Sequence, residues 1–316
     1  MTALRLGLQA TEPYRKLAAG LLVLVGAALI VKASTEMYKS LSEGRETLVA
    51  LQRERAQSAA AIIEQFIGGI ESQVGAVASM PAESTLDQRR ADFVRVLRQT
   101  PAITELSYLD SEGREQLKAS RLAMDRLASG LDLSQDPKFV NARANKRYVS
   151  PMYFRKMSEP YLTIAMAGPG LAPGVIVAEV SAKTIWDVIS RMNRVTAATA
   201  YVVDERGLII AHRNIELALN KTDVNRFSHV ALALKKLRDP NIEVPSVARD
   251  HLDREIITAS APIGTLGMLV FVDLPLSDAL RTVHDAFRWT IMLTLGVMLA
   301  LVAGVWFRGG SALAPE

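Results

Sequence analysis

The alternation of apolar and polar side chains is clearest between residues 148 and 180. Tyr161, Thr163, Ala165 and Ala167 alternate with Leu162, Ile164 and Met166, the period of two that sends successive side chains to opposite faces of a β-strand. The pattern predicts strands over 148–154 and 160–167, joined by a polar turn at Arg155, Lys156, Met157 and Ser158, and a third strand over the apolar run 174–180. One face of such a sheet is expected to pack on a core and the other to line a small-molecule pocket.

Upstream the period changes. Met37, Leu41, Gly44, Leu48 and Leu51 recur in steps of four and three, and so, after a slip in phase near Ala59, do Ile63, Ile67, Ile70, Val74 and Val77. This spacing predicts a long helix over 35–78, interrupted by Gly68-Gly69 and ended at Met80-Pro81. Its apolar seam would meet either a second copy, as a parallel homodimer stalk, or the chain's own domain. A short amphipathic helix is expected over 86–99, strands over 103–109 and 115–120, an irregular stretch with short helix over 122–135, and a helix over 137–143. The order then returns: a linking helix over 185–192, strands over 199–203 and 208–212, a polar helical stretch over 224–237, and closing strands over 255–262 and 268–274.

The turns between the hairpin strands match as well. Asp110 precedes Gly113 as Asp204 precedes Gly207, after strands carrying Tyr108 and Tyr201. In such turns aspartate bonds the backbone ahead of it and glycine supplies the positive φ. The recurrence predicts an α+β fold: a long N-terminal helix (34–79) followed by two tandem modules, each an antiparallel sheet with flanking helices, over 80–183 and 184–288.

Two apolar runs flank these modules. Residues 17–31 lie between Arg15-Lys16 and Lys32 and span about 22 Å as a helix. With Lys32 snorkelling, 17–33 reads as a transmembrane helix; a signal peptide cleaved near Val31-Lys32-Ala33 is the alternative. Residues 289–307 carry Trp289 and Trp306 at the two interfaces, with Arg288 and Arg308 outside them. Arg5, Arg15 and Lys16 place residues 1–16 in the cytoplasm. The modules then face the periplasm or exterior of a bacterial inner membrane, and 308–316 form a short cytoplasmic tail.

Composition narrows the chemistry. The 316 residues carry a net charge of +4 and no basic stripe with interleaved aromatics, which argues against nucleic acid as a partner. The absence of cysteine removes disulfides, thiolate metal sites and a cysteine nucleophile. His212, His229, His251 and His284 form no local metal pair. Asp250-His251 stands without a Gly-x-Ser-x-Gly elbow, and Gly168-Pro169-Gly170 reads as a turn between strands, not a phosphate cradle. Glu179 and Asp187 carry no mark of an acid–base pair. No cofactor, metal or catalytic activity is expected.

Three stretches together carry a resemblance. They are Tyr153-Phe154-Arg155 with Ser158-Glu159-Pro160-Tyr161; Ala178-Glu179-Val180 leading into Ile185-Trp186-Asp187-Val188; and Ala200-Tyr201-Val202-Val203-Asp204 with Gly207 and Ala211-His212. In this combination the chain resembles the double Cache sensory domains of bacterial receptors. Those domains hang two PAS-like modules from one long helix between two membrane spans, as the input halves of sensor histidine kinases and membrane adenylate or guanylate cyclases. The resemblance implies that the membrane-distal module (80–183) binds a ligand and the membrane-proximal one, about 195–275, relays. The amino-acid-binding subset of that family carries Arg-x-Trp-Tyr before the central strands. Here Asp136-Pro137-Lys138-Phe139 stands there, so the guanidinium fork for a ligand carboxylate is missing and the ligand class stays open. The HAMP linker and output domain that such receptors carry after the second span are not among these residues. That leaves the sensory portion of a larger receptor, or a subunit that signals through a kinase or cyclase partner.

The expected ligand contacts are Tyr108, Asp110, Tyr148, Tyr153, Arg155, Glu159 and Tyr161, since tyrosine offers a stacking face and a hydroxyl to a small polar molecule. The competing reading of the tyrosines is sheet packing. The expected function is a membrane-anchored, homodimeric small-molecule sensor whose ligand shifts the packing of the dimer and displaces the second span. A stand-alone periplasm-facing binding or scaffold subunit of an envelope complex is the alternative, with a hydrolase a distant third.

Overall fold

A computed structural model describes residues 3–81, 84–155, 159–170, 173–195, 197–250, 252–279 and parts of 288–303; the side chains of many residues before 44 lie outside that description. The chain divides into two units, Met1–Leu48 with Leu276–Glu316, and Val49–Pro275. Helix α1 runs over Ala3–Ala78. Among the described residues no helix is long and apolar enough to cross a membrane. Many side chains of 17–31 and much of 289–307, where spans were expected, lie outside the description, as does the segment 280–287.

In the second unit α1 is followed by α2 (Leu86–Gln99), β1 (Ile103–Leu109), β2 (Glu115–Ser120), β3 (Arg126–Leu127), α3 (Pro137–Asn145), β4 (Arg147–Val149), β5 (Tyr153–Arg155), β6 (Glu159–Ala167) and β7 (Val175–Ser181). Helix α4 (Lys183–Val195) leads to β8 (Thr199–Val203), β9 (Ile209–His212), α5 (Ile215–Leu219), α6 (Ser228–Lys236), β10 (Val247–Arg249), β11 (Glu255–Ile263) and β12 (Met268–Pro275). A last described turn of helix, α7 (Leu276–Ala279), belongs to the first unit. The first sheet has the order β3-β2-β1-β7-β6-β4, with β5 also on β6; the second has the order β10-β11-β12-β8-β9. Every pairing among them is antiparallel.

The seam of α1 is closed by the chain itself. Gln52, Ala56, Ala59, Ile63, Ile67, Ile70, Val74 and Val77 are all buried. A Cβ built on Gly75 would come 3.4 Å from the Met166 methyl on β6. Glu64 accepts from the Gly264 N–H at 2.6 Å, and Glu71 accepts from Arg147 Nε at 2.7 Å. The 63–77 part of the expected dimer seam is thus filled by this chain's own sheets. Leu51 is 38 % exposed and Gln52 takes its place on the seam, because the stripe keeps helical phase through residues 52, 56 and 59 instead of slipping. Each fully buried Ile or Val side chain there contributes about 1.5–3 kcal/mol.

The paired turns hold to the level of single bonds. Asp110 Oδ1 accepts from the N–H groups of Glu112 (2.9 Å) and Arg114 (3.0 Å), and Asp204 Oδ1 from those of Arg206 (3.0 Å) and Leu208 (2.9 Å). Gly113 (φ +84°) and Gly207 (φ +86°) turn the chain, and their carbonyls accept from Leu133 and Val224, each at 2.9 Å. The two antiparallel sheets thus open on the same turn.

Local departures have local causes. The expected strand 148–154 is two strands, β4 and β5, because Pro151 has no N–H to give the ladder. Ser150, Pro151 and Met152 stand opposite only Leu162 and Thr163 of β6, and the Ser150 hydroxyl accepts from the Thr163 N–H at 2.9 Å. Residues 122–135 contain the short strand β3 and no helix. Helix α5 and strand β10 were not anticipated; at five and three residues they are too short to show a period.

Candidate functional site

Alternation along the strands gives the first sheet two unlike faces. The face carrying Leu106, Ile164 and Ala178, all fully buried, lies toward α1. The opposite face carries Glu105 and Ser107 on β1, Thr163 and Tyr161 on β6 and Glu179 on β7, with Glu105 paired to Glu179 and Thr163 to Glu179 in the ladder. Part of this second face is covered by α3: Phe139 and Ala142 pack there with Leu109, Ala165, Val175 and Val177, and Tyr148 lies against them. The rest is polar.

That polar area is assembled by β5. Tyr153 and Arg155, two residues apart, project to the same side. Tyr153 is paired with Tyr161, and their rings stack at 6.3 Å between centroids. The Tyr153 hydroxyl donates to the Glu179 carboxylate, which also accepts from Thr163 Oγ1 at 3.2 Å. Arg155 forks onto Glu105 with bonds of 3.2 and 3.4 Å and lies 3.7 Å from Glu179. Its guanidinium carbon sits 4.7 Å over the Tyr161 ring, within reach of a cation–π contact. Lys118 on β2 reaches Glu105 at 2.6 Å. At the rim, Glu159 is exposed and accepts from the Tyr161 hydroxyl at 3.1 Å.

The charges shape one another. Burial of Glu105 works to raise its pKa, but Lys118 and Arg155 outweigh it and hold the carboxyl below the usual range. Burial works to lower the pKa of Arg155, and Glu105 with Glu179 raises it instead. Burial, reinforced by the acceptor Glu179, pushes the Tyr153 phenol well up, and burial with Glu159 raises that of Tyr161. All four groups keep their ordinary ionisation states at neutral pH. The named carboxylates Glu105, Glu179 and Glu159 exceed the cations Arg155 and Lys118 by one charge. The surface therefore sets carboxylates and a guanidinium beside the half-buried Tyr153, with Tyr161 buried beneath Arg155, groups that can hydrogen-bond a small polar molecule. Among the described residues no group of side chains is arranged to hold a metal ion.

Five of the expected contact residues share this face: Tyr153, Arg155, Glu159 and Tyr161 in one cluster, and Tyr148 beside α3. The other two stand elsewhere. Tyr108 points to the opposite face, where Arg89 of α2 stacks over its ring at 4.3 Å. Asp110 is spent on its turn and on Gln116 Nε2, 2.7 Å away. The tyrosine before the turn reads alike on either face in sequence, and only the ladder register settles which way it points. Glu105, Lys118, Thr163 and Glu179 were not anticipated. Glu179 left one signal, a carboxylate inside the apolar run 175–180, since such a group stays charged in a sheet interior only beside partners.

No protein-family model matches the sequence, and no curated protein does. Solved structures do. The sensory domain of the chemoreceptor Tlp3 from Campylobacter jejuni superposes with a TM-score of 0.60 at 14% identity, over 76% of this chain and 98% of that one. The same domain with isoleucine bound gives 0.59 at 14% identity, over 76% and 97%. The ligand-binding domain of the amino-acid chemoreceptor PctC from Pseudomonas aeruginosa PAO1, in complex with GABA, gives 0.53 at 16% identity, over 70% of this chain and 97% of that one.

Proposed function

Because the chain has the double Cache fold of receptor sensory domains, we propose that it is the membrane-anchored, extracytoplasmic input portion of a signalling receptor. Its ligand binds on the polar face of the first sheet, against Tyr153, Arg155, Glu159 and Tyr161 with Glu105, Thr163 and Glu179. The observation that carries this reading is the convergence of stacked tyrosines and opposed charges on a face that a sheet would otherwise fill with apolar side chains. The excess of carboxylate there favours a small ligand bearing an ammonium group. That cation would lie beside the Tyr153 ring and Glu179, and a ligand carboxylate would exchange with Glu105 for Arg155. Amino acids and amines meet this description, and the ligands named for Tlp3 and PctC, isoleucine and GABA, are of this kind.

Anchoring is supported by exposed apolar side chains in the first unit, among them Leu24 (71 %), Val31 (64 %), Trp289 (67 %) and Leu299 (69 %); a soluble surface rarely gathers so many. Relay is supported by β5 itself. Between Tyr153 and Arg155, Phe154 points the other way and packs on Trp186 of α4 at 6.1 Å, and Trp186 donates to the Ile210 carbonyl on β9 at 2.9 Å. A change at the ligand face thus has a packed route into the second module, and from there toward the second span and an output partner of a homodimer.

The test is a screen of amino acids and small amines against the full chain in lipid nanodiscs, read by thermal shift and calorimetry. A ligand that binds the folded state stabilises it in proportion to occupancy. Arg155→Ala and Glu179→Gln should each weaken a hit at least tenfold. A hit untouched by both substitutions, or no hit at all, leaves a scaffold role as the better account.

A further inference from the structure

The second module contains a cavity that the ligand face just described does not use. It holds about 210 Å³ between β8, β9 and β12 on one side and the segment from α5 to α6 on the other. Its walls are mostly apolar: Ile209, Leu217, Val224, Phe227 and Ile256 line it. The volume is below the range of drug-sized sites and suits a molecule of about ten non-hydrogen atoms.

Polar groups converge at two places. Deep in the module Tyr201 donates to Asp273 Oδ2 at 2.9 Å, and Thr258 donates to the other carboxylate oxygen at 2.6 Å. His229 Nε2 stands 3.4 Å from the Tyr201 hydroxyl and 3.8 Å from Asp273. With the Tyr201 proton committed to Asp273, Nε2 faces the hydroxyl as the N–H, which leaves Nδ1 as a lone-pair acceptor. His229 is 2 % exposed, and Nδ1 has no hydrogen-bond partner among the described residues. A buried polar atom left so costs on the order of 1–3 kcal/mol; such a group in a cavity wall points to something that fills the space. At the rim lie two exposed guanidiniums. Arg254 is held by Asp250 at 2.7 Å. Arg226 lies against the Phe227 ring at 5.0 Å and has no ion pair among the described residues.

We propose that the second module holds its own small-molecule site in this cavity, for a small organic acid with a largely apolar body. The carboxylate sits on Arg226 at the rim, the body lies between Val224, Leu217 and Ile256, and a ligand N–H or O–H, where there is one, satisfies His229 Nδ1. The assignment follows from the uneven chemistry: at the entrance a cation with no ion pair among the described residues, a mostly apolar middle, and at the end a buried acceptor without a partner beside the satisfied Tyr201 and Asp273. It stands apart from the first-sheet site, and it makes the relay module a second input, because the Ile210 carbonyl that receives Trp186 lies on β9, which also lines the cavity.

The experiment uses the full chain in nanodiscs with isovalerate, benzoate and 4-hydroxybenzoate as probes and isovaleramide as the uncharged control, measured by calorimetry and saturation-transfer NMR. Saturable binding of at least one acid is expected, with the amide at least tenfold weaker. Arg226→Gln, a surface change that leaves the core intact, should weaken the acid at least tenfold and leave amine or amino-acid binding at the first sheet unchanged. Val224→Phe should abolish acid binding by filling the cavity, and His229→Phe should remove the preference for the hydroxylated benzoate. Absence of saturable binding by all three acids overturns the proposal, and so does binding equal in Arg226→Gln and wild type. Loss of acid binding in Arg155→Ala with none in Arg226→Gln would move the acids to the first sheet and equally overturn it. A failed amine screen leaves these outcomes unaffected.

Discussion

Single residues show where side-chain identity is forced. Gly113 and Gly207 adopt positive φ, and a Cβ on Gly113 would lie 2.6 Å from the Ser134 Cα. Backbone atoms cannot move aside as a flexible side chain can. Gly113→Ala should therefore lower stability by about 1–3 kcal/mol, measured by urea denaturation, whereas alanine at Gly130, where nothing lies within 4 Å of the added carbon, bears only the positive-φ penalty. The buried titrating groups give a second residue-scale prediction. Burial pushes Asp273 up to about 6, against the hydrogen bonds from Thr258 and Tyr201, and pushes His229 down to about 4. The native state holds the Asp273 proton more tightly than the unfolded chain, so this group loses stability as pH rises from about 4 through 6. His229 works in reverse: the unfolded chain takes up its proton first, and stability is gained as pH rises from about 4 to 6.5. The two slopes oppose each other in wild type. In Asp273→Asn only the histidine slope remains, so the stability of the variant relative to wild type should climb steadily between pH 4 and 6. A flat difference over that window would show that Asp273 does not hold its proton there.

At the scale of elements, α1 and β5 decide most. The α1 stripe is set by spacing alone, and it predicts a contrast between neighbours. Ile67→Ala, at a fully buried position, should lower stability by about 2–5 kcal/mol. Ile62→Ala, at a position 45 % exposed, should change it by less than about 1 kcal/mol. Equal losses from denaturant melts would mean that the exposed side of α1 is covered by another surface. Strand β5 is only three residues long, too short for any period, yet it serves the polar face of the first sheet and its opposite in successive side chains. The sequence pattern places Tyr153 and Phe154 in one strand with residues 148–152 and assigns Arg155 to the turn; the separation from β4 follows Pro151, and Arg155 extends β5.

At the scale of the whole molecule the two sheets are tied to each other. Among the described residues, two of the ties within the unit Val49–Pro275 bear on the proposed relay. Phe154 and Trp186 form one; Arg147 forms the other, bonding Glu71 of α1 and the Thr265 carbonyl between β11 and β12, the latter at 3.2 Å. Trp186→Phe keeps the ring and removes the donor to Ile210. It should leave ligand affinity at the first sheet within twofold of wild type while reducing the ligand-induced change in amide exchange at β9. An unaltered exchange response would place the coupling on Arg147 instead, and Arg147→Ala is then the variant that loses it.

The hydrophobic period by itself determined the long helix, most of the strands, and the tandem plan announced by the paired Asp-to-Gly turns, because those features depend on neighbours within one element. Tyr153 and Tyr161 were likewise visible as strand residues, whereas Arg155, expected in the turn, belongs to β5 through its pairing with Glu159. Register decided the rest. Tyr108 belongs to the opposite face, and Glu105, Lys118 and Glu179 meet Arg155 only because strands far apart in sequence come to lie side by side. The cavity against His229 and Asp273 has no trace in the sequence at all, for an empty volume is a property of how elements pack around it and not of any one of them.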